Sequence, residues 1–214
     1  MTETACTYLR DPAEIYRQSF AAIRRETDLS SVAEDLAPLA LRIVHACAMP
    51  DIVGDLAASP GAVAAGRAAL ENGAPILTDV EMVAHGVIRG RLPSENRVIC
   101  TLGDPAVPKI VLSQRTTRSA AAVTLWEPDL AGAVVAVGNA PTALFRLLEG
   151  LAAGWPAPAL ILGFPVGFIG AAESKEALIA GAHGAPFVAL RGRRGGSAMA
   201  AAAVNALASG ADAE

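Results

Sequence analysis

The stretch Ala133-Val-Val-Ala-Val-Gly-Asn-Ala-Pro-Thr142 decides the fold. Its first five residues are apolar with no polar alternation, and three of them are β-branched. Such a run suits a strand buried on both faces, because a strand with one wet face alternates. Gly138 and Asn139 then interrupt it, and from Thr142 to Leu151 the apolar residues return at helical spacing. A doubly buried strand that turns directly into a helix is the repeating element of a parallel sheet.

The same pattern recurs on either side. Strands are predicted over Pro75–Asp79, Arg97–Leu102, Ala133–Gly138, Ala159–Gly163 and Pro186–Arg191. Helices over Asp79–Gly86, Thr117–Glu127, Thr142–Leu151, Ala172–Ile179 and Ser197–Ala208 separate or follow them. With right-handed crossovers this is an α/β three-layer sandwich: a mainly parallel sheet of about five strands with helices on both faces. Ser59-Pro60 reads as the cap of a further helix that runs to Leu70 and stops at Asn72-Gly73.

A helical arm precedes the alternation, over about 11–50. Asp11-Pro12-Ala13-Glu14 reads as an N-cap, a proline at the first helical position and an acidic third residue. The helix containing Leu39–Cys47 has two competing starts. Ser31 with Glu34 forms a capping-box pair but leaves Pro38 in the interior, whereas a start at Asp35 places Pro38 in the first turn, where no donor is lost. The later start is preferred. The 214 residues, 1–214, read as a single domain with a frayed tail from about Ser209.

Composition excludes several function classes. Apolar types make up 53% and charged types 18%, but much of the excess is alanine, and no stretch offers the ~18 apolar residues of a spanning helix. Met1–Cys6 shows no basic segment followed by an apolar one, so a cytoplasmic location is expected, without membrane association. Cys6, Cys47 and Cys100 are odd in number and lack Cys-x-x-Cys spacing, which argues against a disulfide framework or a zinc knuckle. The net charge of −4 disfavours a nucleic-acid surface. An anionic ligand therefore needs a local cationic patch.

Ligands of open parallel sheets collect at the carboxyl ends of strands. Three loops there are candidates: Gly138-Asn-Ala-Pro-Thr142, Gly163–Ala172 and Arg191-Gly-Arg-Arg-Gly-Gly-Ser197. The last sets guanidinium forks beside glycines, a composition for carboxylate or phosphate; it reads equally as a solvated turn with Ser197 as helix cap. From these loops Asn139, Arg193, Arg194 and Ser197 are taken as candidate ligand contacts. Walker and Gly-x-Gly-x-x-Gly motifs are absent, as is a Gly-x-Ser-x-Gly elbow. His45 falls near the end of an apolar helix and reads either as a hydrogen-bonded core residue or as an acid facing an anionic ligand. His45, His85 and His183 lack zinc-ligand spacing, so no metal is expected. Thr117 is a plausible helix cap, and Arg118 behind it opposes the helix dipole unless an anion lies between.

Several segments together resemble the precorrin-8X methylmutase family of cobalamin biosynthesis: Tyr8-Leu-Arg-Asp-Pro12, Ile15-Tyr-Arg-Gln-Ser-Phe20, Val44-His-Ala-Cys47, Asp79-Val-Glu-Met-Val83, Gly138-Asn-Ala-Pro-Thr-Ala143, Gly163-Phe-Pro-Val-Gly-Phe168 and Arg191–Met199. They occur in family order from Tyr8 to Ala208. The resemblance implies an isomerase that moves a methyl group from C11 to C12 of a tetrapyrrole, converting precorrin-8X to hydrogenobyrinate without a cofactor. It also implies a homodimer with active sites at or near the subunit interface. The catalytic histidine falls on His45, and substrate contacts fall on Ser19 and Arg118. Where the family pattern has Thr-Arg this chain has Ile88-Arg89, which removes a hydroxyl from position 88. The cobalt-precorrin-8 methylmutase of the anaerobic branch and a non-catalytic corrinoid carrier stand as alternatives.

Overall fold

The computed structural model describes residues 8–209. Asp11 accepts hydrogen bonds from the backbone N–H groups of Ala13 and Glu14, and Pro12 takes the first helical position, so α1 (Pro12–Glu26) begins where its capping residues place it. The second helix, α2 (Ala37–Cys47), begins two residues after Asp35 with Pro38 in its first turn; the Ser31–Glu34 start is not used. There follow β1 (Leu56–Ala58), α3 (Ala62–Glu71), β2 (Ile76–Thr78), α4 (Glu81–Gly86), β3 (Val98–Cys100), α5 (Val107–Gln114), α6 (Arg118–Val123) and α7 (Glu127–Leu130). The chain closes with β4 (Val134–Val137), α8 (Pro141–Ala152), β5 (Leu160–Gly163), α9 (Ala171–Ala180), β6 (Phe187–Leu190) and α10 (Ser197–Ala208).

The strands form one sheet in the order β1-β6-β5-β4-β2-β3. All neighbours are parallel except β1, which pairs antiparallel with β6 through Leu56↔Leu190 and Ala58↔Val188. Successive strand residues point to opposite faces. Ile76, Val134, Ala136, Leu160 and Leu162 therefore join a core with α2, α3 and α10, while Leu77, Val135, Val137 and Ile161 join another with α8 and α9. These are the three layers read from the apolar runs.

Three expectations need correction. The sheet has six strands among the described residues, because the three-residue β1 adds an antiparallel edge that the count of about five omitted. Ser59 does not cap a helix; its hydroxyl accepts the Phe187 N–H at 2.9 Å and so fastens the end of β1 to β6. The helix expected over Thr117–Glu127 ends at Val123, where Thr124, Leu125 and Trp126 turn to three-residue hydrogen bonds and Pro128 opens α7.

α10 is buried almost all round from Met199 to Leu207, and its alanines let α2 and α4 lie close against it. α1 packs outside α2 and buries none of its own residues. Ser209 hydrogen-bonds back to Asn205; the rest of the expected frayed tail, 210–214, lies outside the described residues. Among those described, no helix is long and apolar enough to cross a membrane.

Candidate active site

α2 buries Leu39, Ala40, Ile43 and Val44, which leaves His45 outside the buried stripe, near the helix end. There it meets α1. Ser19 Oγ lies 3.4 Å from His45 Nδ1, a long contact of the kind that tightens when a ligand is bound. The Phe20 ring stacks on the imidazole at 4.9 Å between centroids and 22° between planes, and Tyr16 leans on it at 5.8 Å. Tyr16, Ser19 and Phe20 share one face of α1 because residues three and four apart are neighbours on a helix. Arg42, one turn before His45, lies over both aromatic rings, 5.6 Å from Tyr16 and 5.3 Å from Phe20.

This packing sets the electrostatics. Desolvation by its packed neighbours, and secondly the positive charge of Arg42, hold the His45 imidazole below its ordinary value of 6.5, although the residue is exposed. With Nδ1 turned to Ser19, Nε2 is the nitrogen left for a ligand.

The other candidates sit on loops held by two residues without an expected role. Asp79, at the end of β2, is buried, and its carboxylate accepts the N–H groups of Gly138, Asn139 and Ala140 at 2.8, 2.9 and 2.7 Å. Burial pushes the Asp79 carboxyl above its ordinary value, against the pull of those three donors. The Asn139 side chain is thereby presented at the surface. Gly138 is required by proximity: a Cβ there would lie 2.8 Å from Ser197 Cα and 2.7 Å from Val83.

The second holding residue is Lys175 of α9. Its fully buried ammonium donates to the carbonyls of Pro165 at 3.0 Å and Arg194 at 2.7 Å, tying the loop after β5 to the loop after β6. Gly195 closes the same junction, since a Cβ would stand 2.3 Å from the Phe164 carbonyl oxygen.

The three arginines of the last loop do not converge. Arg191 Nη1 donates to both carboxylate oxygens of Glu176. Arg194 donates to Asp51 at 2.5 Å and Asp55 at 3.0 Å, carboxylates from the segment that follows α2. Arg193 lies over the Phe168 ring at 5.5 Å, beside an apolar loop tip on which Phe168 and Ile169 are almost wholly exposed. Ser197 is buried as the first residue of α10, and Gly196 holds the cap position, so the serine-cap reading is set aside.

Thr117 does cap α6, accepting the Ala120 N–H and donating to Thr142. Arg118 is exposed beside it, with Nη2 3.5 Å from the Leu102 carbonyl. α6 runs beside α8 on the far side of the sheet, so Arg118 and His45 stand on opposite faces. Ile88 is half exposed, and its N–H is taken by Asn205 Oδ1 at 2.8 Å. Among the described residues no group of three His, Cys, Asp or Glu side chains comes together as a metal site.

Comparison with known proteins adds the following. A family model described as precorrin-8X methylmutase matches residues 14–210. The precorrin-8X methylmutase of Pseudomonas aeruginosa is 63% identical over 201 residues, covering 94% of this chain and 97% of that protein. The one from a Sinorhizobium species is 59% identical, covering 94% and 96%. A crystal structure of the Thermus thermophilus precorrin-8X methylmutase superposes with a TM-score of 0.83 at 37% identity, covering 92% of this chain and 94% of that one.

Proposed function

The chain belongs to the precorrin-8X methylmutase family, and from that premise we propose that it moves the methyl group at C11 of precorrin-8X to C12, giving hydrogenobyrinate, with His45 as proton donor. The observation that carries this reading is the cluster of His45, Ser19 and Phe20 at the meeting of α1 and α2. Ser19 fixes the ring orientation, Phe20 keeps water from one imidazole face, and Nε2 addresses the ligand. A proton delivered to the conjugated macrocycle draws electron density out of it. The methyl group then crosses from C11 to C12 with its bonding pair, and the proton is given back. Atoms and electrons balance, so the step needs no oxidant or reductant. A positioned general acid contributes roughly 10²–10⁴-fold to such a reaction.

The substrate is a broad, partly apolar ring bearing carboxylates. Asn139 and Arg193 line its approach at the strand ends, and Arg118 receives a carboxylate. Because Arg118 and His45 stand on opposite faces of the sheet, the working molecule is a homodimer in which one copy completes the other's site.

Single-turnover isomerisation by His45→Ala tests the reading. Turnover is expected to fall ~10²–10⁴-fold, with hydrogenobyrinate still bound. A folded variant that isomerises at the wild-type rate removes His45 from the chemistry. Wild-type protein that binds product without turnover is a carrier, and preference for the cobalt-loaded ring assigns the chain to the metal-containing branch.

A further inference from the structure

A cleft of about 1070 Å³ opens between α1, α2 and the end of α10. Tyr16, Phe20, Leu41 and Pro38 supply apolar wall, and Arg42 and Arg91 supply cations. Glu34 is the one acidic residue among the described residues of the lining; Arg17 and Arg24 also stand there, Arg17 paired with Glu14. Arg42 and Arg91 make no ion pair with a carboxylate among the described residues. Cationic side chains held around an apolar volume, in a protein of net charge −4, describe a receptor for an apolar body with carboxylates at its rim.

His45 is not in the lining; it lies behind it. The Phe20 ring separates the two, with Arg42 at 5.3 Å from its centroid and the imidazole stacked at 4.9 Å. Arg42 and His45 are also neighbours on α2 at i and i+3. From α1 the polar groups at the imidazole are Ser19 and the Tyr16 ring. The charge acting on it is that of Arg42.

We propose that this cleft receives carboxylates of the macrocycle on Arg42 and Arg91, and that a carboxylate seated on Arg42 is what allows His45 to hold its proton. The inference rests on the isomerase reading and adds to it a named subsite and a trigger. In the empty site the guanidinium repels a proton from the imidazole. An anion on Arg42 cancels that repulsion, so the ligand arms its own acid and binding near neutral pH takes up a proton from solvent.

Calorimetric titration of hydrogenobyrinate at pH 7, in two buffers of different ionisation enthalpy, reads affinity and proton uptake together. Wild-type protein is expected to bind with net proton uptake. Arg42→Gln should bind about ten- to a hundredfold more weakly, the usual loss for a charged hydrogen-bonding partner, and should take up less proton because His45 is already more basic. Arg42→Lys keeps the charge and should restore the uptake with part of the affinity; it carries the test if the glutamine variant unfolds. Arg91→Gln should lose affinity and keep the uptake. Wild-type protein that neither binds product nor turns over precorrin-8X defeats the isomerase reading itself. Wild-type turnover, together with unchanged affinity and uptake in the Arg42 and Arg91 variants, overturns this proposal alone.

Discussion

At His45 two influences oppose a third. Desolvation and the Arg42 charge lower its proton affinity, while the carbonyl end of α2 raises it. The first two prevail, so the free enzyme should half-titrate below pH 6.5. An acid works in its protonated form; kcat/KM is therefore expected to rise as the pH falls from 8, and to level off in acid below that value. A pH-rate profile that is flat from 5 to 8, or that climbs with pH, would contradict the role. Little of this site could be read from spacing. Ser19 and His45 are 26 positions apart and on different helices, and the family resemblance, not periodicity, marked them. Tyr16 and Phe20 stand at i and i+4, a spacing that marks one helix face but not what packs on it. In the Arg191–Ser197 loop the composition fits an anion, while the partners of Arg194 were not legible because Asp51 and Asp55 lie on a distant segment.

Among elements, the long apolar strands were legible because burial on both faces leaves no polar alternation. β1 was not, since Leu56-Ala57-Ala58 is short and its pairing with β6 is a matter of tertiary structure. α5 was not among the expected helices; it is short, and Pro108 falls in its first turn, where no donor is lost. The junction between α9 and the two last strand-end loops depends on Lys175, whose burial brings its pKa down from 10.5 to about 8. Lys175→Met would leave the Pro165 and Arg194 carbonyls without a donor, at a cost of about 1–3 kcal/mol near neutral pH. The sign with pH follows from proton counting. Between about 8 and 10.5 the unfolded lysine is protonated and the folded one is not, so the wild type gains stability as pH rises through that window. The methionine variant has no such group. Urea unfolding at pH 7 and pH 9.5 should show the gap between them widening, and a constant gap would mean that the folded lysine keeps its charge.

For the whole molecule, the exposed Phe168-Ile169 tip and the half-exposed Ile15 of α1 are apolar surfaces that a second copy would bury. Sedimentation at micromolar concentration is expected to give a species near twice the 21.7 kDa chain mass; a single-chain species would remove the shared site. The placement of α10 bears on something else, the order of assembly. α2 lies against α10, and β1 near residue 57 pairs with β6 near residue 189. Contacts so distant along the chain form late, because loop closure must come before they give anything back. On the ribosome the arm that carries His45 is made first, yet α10, the helix it packs against most, emerges last. The candidate site around His45 is thus among the last parts of the molecule to form, and a nascent chain stalled before Ser197 would carry its histidine on a helix without its main packing partner.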